Sequence, residues 1–526
     1  MDQYEMRRGE YELMTKRGFY SGALEIQKDV ILPDAYGDIK KILASAPRLS
    51  PISESVENDG VSWSGSLTVN VMFLTEDGEV ASLPVTCEYE ERIPIAFGEG
   101  DVTVASFPIV ENLQCRLVNP RKIGIRTKII PRLSVFETVD SAVRYPDSVS
   151  DEDRLTFEER YRRAPYLAME SYLLEGVESG DDIMIDPPRD AIGQIVMHKI
   201  SFSSVSAEAR NGAVAINGNA DLTVWYLPAE SEEALSVLTH TLPVSTLLEC
   251  RGVREGDTVA AALYCENISL VPEENTEGEK RILECDLTYR ATVLLGREES
   301  VLLTDDVYST RYDAKAVSGS FSPAHSIMKA SASGRGSTVL HGKEGCTALG
   351  ADAVIKQYHI EPSGEGRVLL CGSALVYAVL KQTETQKIRG ETAEVSFSVP
   401  FSLPYDAQRD YTALLSPEGV DIGLTGGGDL SLTFSLSCTL LSWLNASETA
   451  VTFAEPTALY RRDQAGAFTV YYPREDEGAW DIAKKYRVRE DDLVFADSDE
   501  FRAGDKRRCV MIPPVKEAIF RRILNP

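Results

Sequence analysis

Three strand-like segments of this chain resemble one another and recur at a nearly constant spacing. They begin at Gly65, Gly218 and Gly372, which are 153 and then 154 residues apart (218 − 65; 372 − 218). Each segment alternates apolar and polar side chains and is rich in β-branched residues, which is the pattern of a strand with one buried face. A solenoid repeat has a period of roughly 20–50 residues, so this spacing predicts tandem domains instead.

The likeness continues downstream of each glycine in the same order. A strand that contains a proline follows in every copy, and the three prolines are Pro94, Pro243 and Pro400. Because proline cannot donate to a central ladder, these strands are predicted to lie at sheet edges. A last alternating strand closes the copies, starting at Lys122, Arg281 and Asp429. The preserved order favours one antiparallel unit repeated three times.

The predicted fold is therefore mainly β, with three tandem antiparallel β-rich domains and a small C-terminal βααβ module. One inter-domain segment is charged and helix-compatible in its middle, and the next is small and polar, which is typical of linkers. The predicted boundaries are a helical N-terminal extension (1–20), domain 1 (21–146), a charged linker (147–182), domain 2 (183–317), a linker (318–335), domain 3 (336–456), the C-terminal module (466–514) and a tail (515–526).

Charge and cysteine usage narrow the classes of function. The formal net charge of −28 disfavours nucleic acid and anionic lipid as partners, since both are bound through Lys and Arg. No apolar run approaches the roughly 18 residues that a membrane span requires, and the charged N-terminal segment predicts no signal peptide. The nine scattered cysteines lie mostly in strand-like runs, which predicts reduced, buried thiols in a cytosolic protein.

Motifs that would indicate an enzyme are missing from the sequence. The five histidines are dispersed, and no His-Glu-x-x-His, Cys-x-x-Cys or Gly-x-Ser-x-Gly pattern occurs. We therefore predict no catalytic activity, no cofactor and no metal. Carboxylates are so abundant that a chance pair could serve in glycoside hydrolysis, which keeps a glycan hydrolase as a distant alternative.

The β pattern stops after Pro456, and a compact unit with helical spacing follows. A strand is predicted at 468–472, then a helix that carries Trp480, Ile482 and Tyr486 on one face. A second short helix is predicted at 490–497, and a closing strand at 509–514.

The C-terminal module resembles the LysM domain along nearly all of 466–514. The residues that carry the likeness are Trp480-Asp481-Ile482-Ala483-Lys484-Lys485-Tyr486, Val488, Asp492-Leu493, Ala496, Ala503-Gly504-Asp505 and Val510-Met511-Ile512-Pro513. Near the other end, Leu32–Leu43 (LPDAYGDIKKIL) is similar to a stretch of the SPOCS (spore coat and surface) domain. Tandem SPOCS domains followed by a LysM domain are the architecture of SipL-like spore-coat morphogenetic proteins.

This resemblance implies a non-catalytic scaffold of endospore coat assembly, located in the mother-cell cytosol and recruited to the forespore surface. It also implies that the LysM-like module binds a SpoIVA-like coat ATPase, with other coat proteins as further partners. The candidate partner-binding residues are Trp480, Ile482, Lys484, Lys485, Tyr486, Arg487 and Arg489. The four cations among them form either a docking face or a locally balanced charge strip, and Trp480 serves either as a binding platform or as helix packing.

One departure from the usual LysM pattern bears on the choice of ligand. Glycan-binding members carry a Gly-Asp-Thr-like turn before the first helix, whereas this chain has Glu475-Asp476-Glu477 there. Three consecutive carboxylates are an unfavourable surface for a glycan, so a protein partner is favoured and glycan binding is doubtful. The alternative function is a peptidoglycan- or cortex-glycan-binding protein that acts through the same module.

Overall fold

The computed structural model is mainly β, as predicted. It describes residues 11–513 except for 21, 58, 188, 230–234, 344, 386, 426–428, 461–467, 475 and 496–508. Helical structure in these described ranges is limited to α1 (Asp151–Arg154), α2 (Ala479–Tyr486) and a 3₁₀ turn at Glu490–Asp492. None of these helices is long and apolar enough to cross a membrane.

The first set of strands, which we call repeat 1, has six strand positions in a fixed pairing scheme. Its strands are β1 (Glu12–Tyr20), β2 (Leu24–Ile31), β3 (Ile39–Glu57), β4 (Gly60–Thr75), β5 (Val80–Pro94), β6 (Val102–Ser106), β7 (Ile109–Asn119), β8 (Lys122–Ile130) and β9 (Leu133–Asp140). The second, third and fourth positions form the sheet β3-β4-β5. The first, fifth and last positions are each divided into two strands, namely β1 and β2, β6 and β7, and β8 and β9. The last position pairs with the first and the fifth in two small sheets, β2-β8-β7 and β1-β9-β6.

Repeat 2 has the same scheme with unbroken strands. Its strands are β10 (Phe157–Met184), β11 (Ile192–Arg210), β12 (Ala213–Pro228), β13 (Ser236–Glu249), β14 (Thr258–Glu274) and β15 (Lys280–Ser309). The sheets are β11-β12-β13 and β10-β15-β14. Strand β10 therefore corresponds to β1 and β2 together, and strand β15 corresponds to β8 and β9 together. We call the pair β10 and β15 the long hairpin of repeat 2.

Repeat 3 repeats these pairings and joins its two sheets. Its strands are β16 (Tyr312–Phe321), β17 (Ala324–Leu340), β18 (Cys346–Pro362), β19 (Arg367–Gln382), β20 (Ile388–Pro404), β21 (Arg409–Leu424), β22 (Leu430–Asn445) and β23 (Glu448–Leu459). The order β18-β19-β20-β17-β22-β21 makes one six-stranded sheet, and β16 pairs with β23. The junction between β17 and β20 is a single pair, Arg335 with Ser398.

The edge prediction for the proline strands is confirmed in the first two repeats. Pro94 and Pro243 lie on β5 and β13, which are edge strands of their three-stranded sheets. In repeat 3, β20 lies between β19 and β17 and is not an edge strand, so the prediction is wrong for Pro400. Pro400 still needs no donor toward β17, because that pairing is confined to Ser398.

Strands occupy three segments that the sequence had suggested were helical or linkers. The helical extension is wrong for Glu12–Tyr20, which is strand β1 paired with β9. The charged linker at 147–182 holds the short helix α1 and then most of β10, in which Ala164 on one face and Leu167 and Met169 on the other are buried. Its charged residues face outward on a strand that β15 pairs along its whole length, so pairing overrides their low strand propensity.

The small, polar linker at 318–335 is likewise taken up by β16 and β17. Its glycines have a packing role, because a side chain on Gly334 would lie 2.6 Å from the Ser398 carbonyl oxygen of β20. The small residues that suggested a loop therefore permit β17 to approach β20 closely.

The three repeats share apolar cores as well as having their own. One shared cluster contains Met72, Trp225 and Val379, each seven residues after the repeated glycine (65 + 7; 218 + 7; 372 + 7). A second shared cluster contains Phe136 and Trp443 from the outer repeats, with Leu294 of repeat 2. The domain cores are consequently not independent, contrary to the expectation for tandem domains.

The cysteines are free thiols, and the strand cysteines are largely buried, as predicted. Burial raises the pKa of Cys265 to about 11 and that of Cys438 to about 12. Burial likewise raises the pKa of Cys285 to about 11 and that of Cys115 to about 12. Since the thiolate is the nucleophile, all four thiols are poorly reactive in the folded protein.

We expect these four cysteines to react with an aromatic disulfide reagent at pH 8 at least about 100-fold more slowly in the native protein than in guanidinium chloride. Peptide mapping by mass spectrometry after timed labelling checks each position separately. Native disulfides in protein purified without oxygen would contradict the prediction of reduced thiols.

Candidate functional site

The C-terminal module is a small sheet packed against one helix. Its strands are β24 (Thr469–Tyr471), β25 (Val494–Phe495) and β26 (Val510–Ile512), in the order β24-β26-β25. Helix α2 begins after Gly478, whose backbone N–H donates to the Asp481 carboxylate at 2.9 Å, and it ends at Arg487 in the left-handed region.

The second predicted helix of the module is wrong where it can be seen. The chain makes one 3₁₀ turn at Glu490–Asp492, then Leu493 is extended and Val494–Phe495 pairs with β26. Pairing with the sheet thus ends the helical turn. The rest of the predicted helix, from 496, lies outside the described residues, as does Glu475 of the acidic turn.

Two of the predicted partner-binding residues belong to the core of the module. Ile482 is fully buried and Trp480 nearly so, in a cluster with Val488, Val510 and Ile512. The helix-packing interpretation of Trp480 is therefore confirmed. The indole N–H nevertheless makes a contact outside the module, with a residue of repeat 2.

Asp306, near the end of β15 in repeat 2, contacts two side chains of helix α2. The Trp480 indole Nε1–H donates to Asp306 Oδ2 at 2.8 Å, and Lys484 Nζ lies 2.7 Å from each carboxylate oxygen. Burial by itself would raise the pKa of Asp306, but the hydrogen bonds from Lys484 and Trp480 and the charge of Lys484 lower it below its ordinary value. The carboxylate is thus held ionised at the junction.

Tyr308 extends the junction into the core of the module. Its hydroxyl donates to the Val488 carbonyl at 2.6 Å, and its ring meets Trp480 edge to face at 4.9 Å. Burial is the main cause of the raised pKa of this phenol. Tyr308 is itself a member of the apolar cluster of the module, so β15 completes that core.

The two arginines of the predicted site also face the chain itself. Arg487 Nη2 lies 3.0 Å from Asp313 Oδ1, and its Nη1 donates to the Ser309 carbonyl at 3.3 Å. Arg489 Nε lies 3.1 Å from Glu158 Oε1 at the start of β10. Three of the four cations of the predicted strip, Lys484, Arg487 and Arg489, therefore contact β15, β16 and β10 within the chain.

Lys485 and Tyr486 lie on a different side of the helix. Lys485 Nζ donates to the Tyr471 hydroxyl at 2.8 Å and lies 3.6 Å from Glu477 Oε1. The Tyr486 ring packs against Tyr471 at 5.3 Å. These two residues stay within the module, so the structure divides the predicted site between its core, the junction with repeat 2 and this tyrosine pair.

The outer face of the module sheet carries an apolar surface that the sequence analysis missed. Val470 and Val494 both pair with Met511 across the sheet, and all three side chains are exposed. Phe468 and Tyr472 flank Val470 at the same alternation and are 60% and 68% exposed. We call these five residues the sheet-face patch. Alternate positions 468, 470 and 472 were a usable signal, because both faces of that strand are apolar.

One group of side chains among the described residues could hold a metal ion. His359, Glu361 and Cys371, on β18 and β19 of repeat 3, offer ligand atoms that lie within 4.8 Å of one another. The His359 and Glu361 side chains are largely exposed. A mixed nitrogen, oxygen and sulfur set of this kind suits Zn²⁺ with one open position.

Comparison with known families places the SPOCS likeness in the middle of the chain. A family model described as SipL, SPOCS domain matches residues 191–272. These residues contain the second to fourth strands of repeat 2 and nearly all of the fifth. The match supports a SipL-like family member with a sporulation-related role. No curated protein and no solved structure gave a match.

Proposed function

We propose that this chain is a non-catalytic scaffold of endospore coat assembly, which binds a SpoIVA-like coat ATPase through its C-terminal module. It acts from the mother-cell cytosol and helps to attach the coat to the forespore surface. The match to the SPOCS domain at 191–272 supports the sporulation role. The likeness of the module to LysM, with its acidic turn, supports a protein partner over a glycan.

The choice of binding surface rests on one observation. The helix face of the module contacts repeat 2, whereas the outer face of its sheet is exposed. Trp480, Lys484 and Arg487 contact the hairpin of repeat 2, so they are engaged within the chain. On the opposite side of the sheet, Val470 and Met511 are exposed at the centre of the sheet-face patch. An exposed apolar cluster on a small folded module is typical of a protein-binding surface.

The partner therefore docks on the sheet-face patch, and Lys484, Arg487 and Arg489 hold the module in place. Apolar and aromatic side chains at the centre of an interface contribute most of its binding free energy. Phe468 and Tyr472 supply two aromatic anchors of that kind. In this arrangement, mechanical force on the bound partner is transmitted through α2 and Asp306 to the β-sheets of repeat 2.

Pull-down of the full-length chain with a purified SpoIVA-like ATPase tests this assignment. Replacing Val470 and Met511 with aspartate should weaken binding at least about tenfold, because the two carboxylates would have to be desolvated at the centre of the interface. Glu298→Ala, on an exposed part of β15, is the matched control and should bind normally. A chain that ends before Gly466 should not bind.

Circular dichroism should confirm that the aspartate double variant folds, since both side chains already face solvent in the parent chain. Undiminished binding by the double variant would reject the patch as the docking surface. If the intact chain instead sediments with purified peptidoglycan and ignores the ATPase, the alternative glycan-binding function is the better one. Glu477 argues against that outcome, because its carboxylate accepts from the Tyr471 hydroxyl at 2.6 Å and stays ionised, with its pKa lowered mainly by that bond.

A further inference from the structure

A cavity of about 220 Å³ lies where the three repeats meet. Its walls come from matching strands, since Leu49, Phe202 and Ile355 all line it and are spaced by 153 residues (202 − 49; 355 − 202). The lining also includes β7, β14 and β21, which hold the fifth strand position in each repeat. The cavity is therefore a product of the assembled repeats.

A buried arginine lines this cavity with part of its guanidinium unsatisfied. Arg132, between β8 and β9, is 1% exposed, and its Nη1 donates to the Ala413 carbonyl of repeat 3. The guanidinium also lies over the Tyr358 ring at 4.6 Å. Its Nε and Nη2 are buried, and neither has a hydrogen-bond partner among the described residues. Buried polar groups are almost always paired, so two free donors on one cation indicate a missing acceptor.

The backbone of Arg132 adds to the cost of placing it there. Its φ is 50°, in the left-handed region that non-glycine residues seldom adopt. A strained backbone that presents a buried cation to a cavity is the kind of feature found at binding sites.

A second guanidinium lines the same cavity without a counter-charge from its walls. Arg48 of β3 has a buried Nε that is hydrogen-bonded by no residue in the described part of the chain. The remaining charged residues of the lining are Lys199 and Asp352, and these pair with each other. Arg290 of repeat 2 shows the contrast, because that buried guanidinium is held by Glu266 at 2.9 Å and by Glu175. No carboxylate of the lining holds Arg48 or Arg132 in this way; Arg132 acts on Glu111 of β7 only through its charge, which lowers the pKa of that carboxyl against the larger effect of burial.

We propose that this cavity is a binding site for a small oxyanion, a phosphate or a carboxylate, whose oxygens accept from Arg132 and Arg48. Guanidinium donors match the spacing of such oxygens and bind them in pairs. The rest of the lining is mostly apolar, including Phe107, Val205 and Leu415. A cavity of 150 Å³ holds benzene, so this one also has room for a carboxylate with a ring-sized apolar body.

The ligand would link the repeats, because the two arginines belong to repeat 1 and the opposite walls to repeats 2 and 3. This inference does not depend on the proposed coat function. Binding of the anion should therefore be detectable in the purified chain without any partner protein.

Isothermal titration and thermal unfolding of the full-length chain test the site, with inorganic phosphate and benzoate as probes at matched ionic strength in chloride. We expect saturable binding of at least one probe and a rise in Tm that follows its occupancy. Arg132→Gln and Arg48→Gln should each weaken binding at least about tenfold. Arg92→Gln, which removes an exposed arginine of the same repeat, should bind like the parent chain.

If Arg132→Gln does not fold, Arg132→Lys keeps the charge but removes the paired donors, and it should show the same loss of affinity. Tighter binding of benzoate than of phosphate would assign the apolar lining to the ligand body, and the reverse would assign the site to inorganic oxyanions. The proposal is overturned if neither probe binds saturably, if chloride stabilises the chain equally, or if the folded arginine variants bind like the parent.

Discussion

Replacing Trp225 with alanine should destabilise all three repeats together and lower the free energy of unfolding by about 3–5 kcal/mol. The indole is 1% exposed in a cluster that also contains Met72 of repeat 1 and Val379 of repeat 3. Gly350 of β18 approaches so closely that a side chain there would lie 2.9 Å from the indole nitrogen. The cavity left by alanine would therefore open toward all three repeats.

Hydrogen exchange measured by mass spectrometry checks this prediction, because it reports protection strand by strand. In the Trp225→Ala variant, exchange should accelerate in β4 and β19 as well as in β12. Tyr289→Ala is the matched control, since Tyr289 is equally buried but lies in the core of repeat 2 itself. Its early loss of protection should be confined to β10–β15. Acceleration confined to repeat 2 in both variants would show that the repeats are energetically independent.

The repeated strands could be predicted from the sequence because their signal is local. Alternation around Gly65, Gly218 and Gly372 identifies strands, and a conserved order of strands restricts how they pair. The shared cores carry no such signal. Met72 and Val379 look like ordinary inward-facing residues, and nothing in a strand pattern tells whether the inward face meets its own repeat or a neighbouring one.

The predicted linkers failed for a related reason. A half-exposed strand such as β10 has charged residues at its outward positions, so a short window of its sequence resembles a helix or a loop. Its structure is imposed by β15, which begins at Lys280, more than 95 residues after β10 ends at Met184 (280 − 184 = 96). Single-sequence patterns do not register a partner at that distance.

The candidate site in the C-terminal module was also mispredicted because its contact lies far away in the sequence. The sequence identified its polar and aromatic residues as candidates for binding an external partner, and it left open that the cations balance local charge and that Trp480 packs the helix. The carboxylate that Trp480 and Lys484 contact is Asp306, 174 residues before Trp480, and it lies in a strand with no distinguishing motif. In the part of the chain that the structure describes, the helix face contacts repeat 2 and the sheet-face patch is exposed.

Replacing Asp306 with alanine should release the module from repeat 2. The change removes the acceptor of the Trp480 indole and both oxygens paired with Lys484. Hydrogen bonds to a charged group contribute about 1.5–3 kcal/mol, and because the Lys484 side chain is partly exposed, solvent screening reduces the expected loss to about 1–2 kcal/mol. The indole N–H resonance of Trp480 should move upfield and exchange faster with solvent. Glu298→Ala, on the same strand, should leave that resonance unchanged.

The docking should also depend on pH through Asp306, and the Asp306→Ala variant separates its effect from those of Glu158 and Asp313 at the same junction. Its pKa is lowered from the ordinary 3.8 in the docked state, because the bonds from Lys484 and Trp480 and the lysine charge outweigh the opposite effect of burial. A lowered pKa means that the ionised carboxylate stabilises docking fully above about pH 4, and that this contribution is lost as the pH falls through the lowered value. The Trp480 indole resonance should therefore shift toward its undocked position only in strongly acidic solution, and in the Asp306→Ala variant it should already lie there at neutral pH. An indole resonance that titrates identically in the parent chain and the variant would show that another group holds the module, whereas its loss of pH dependence in the variant alone would assign the junction to this carboxylate.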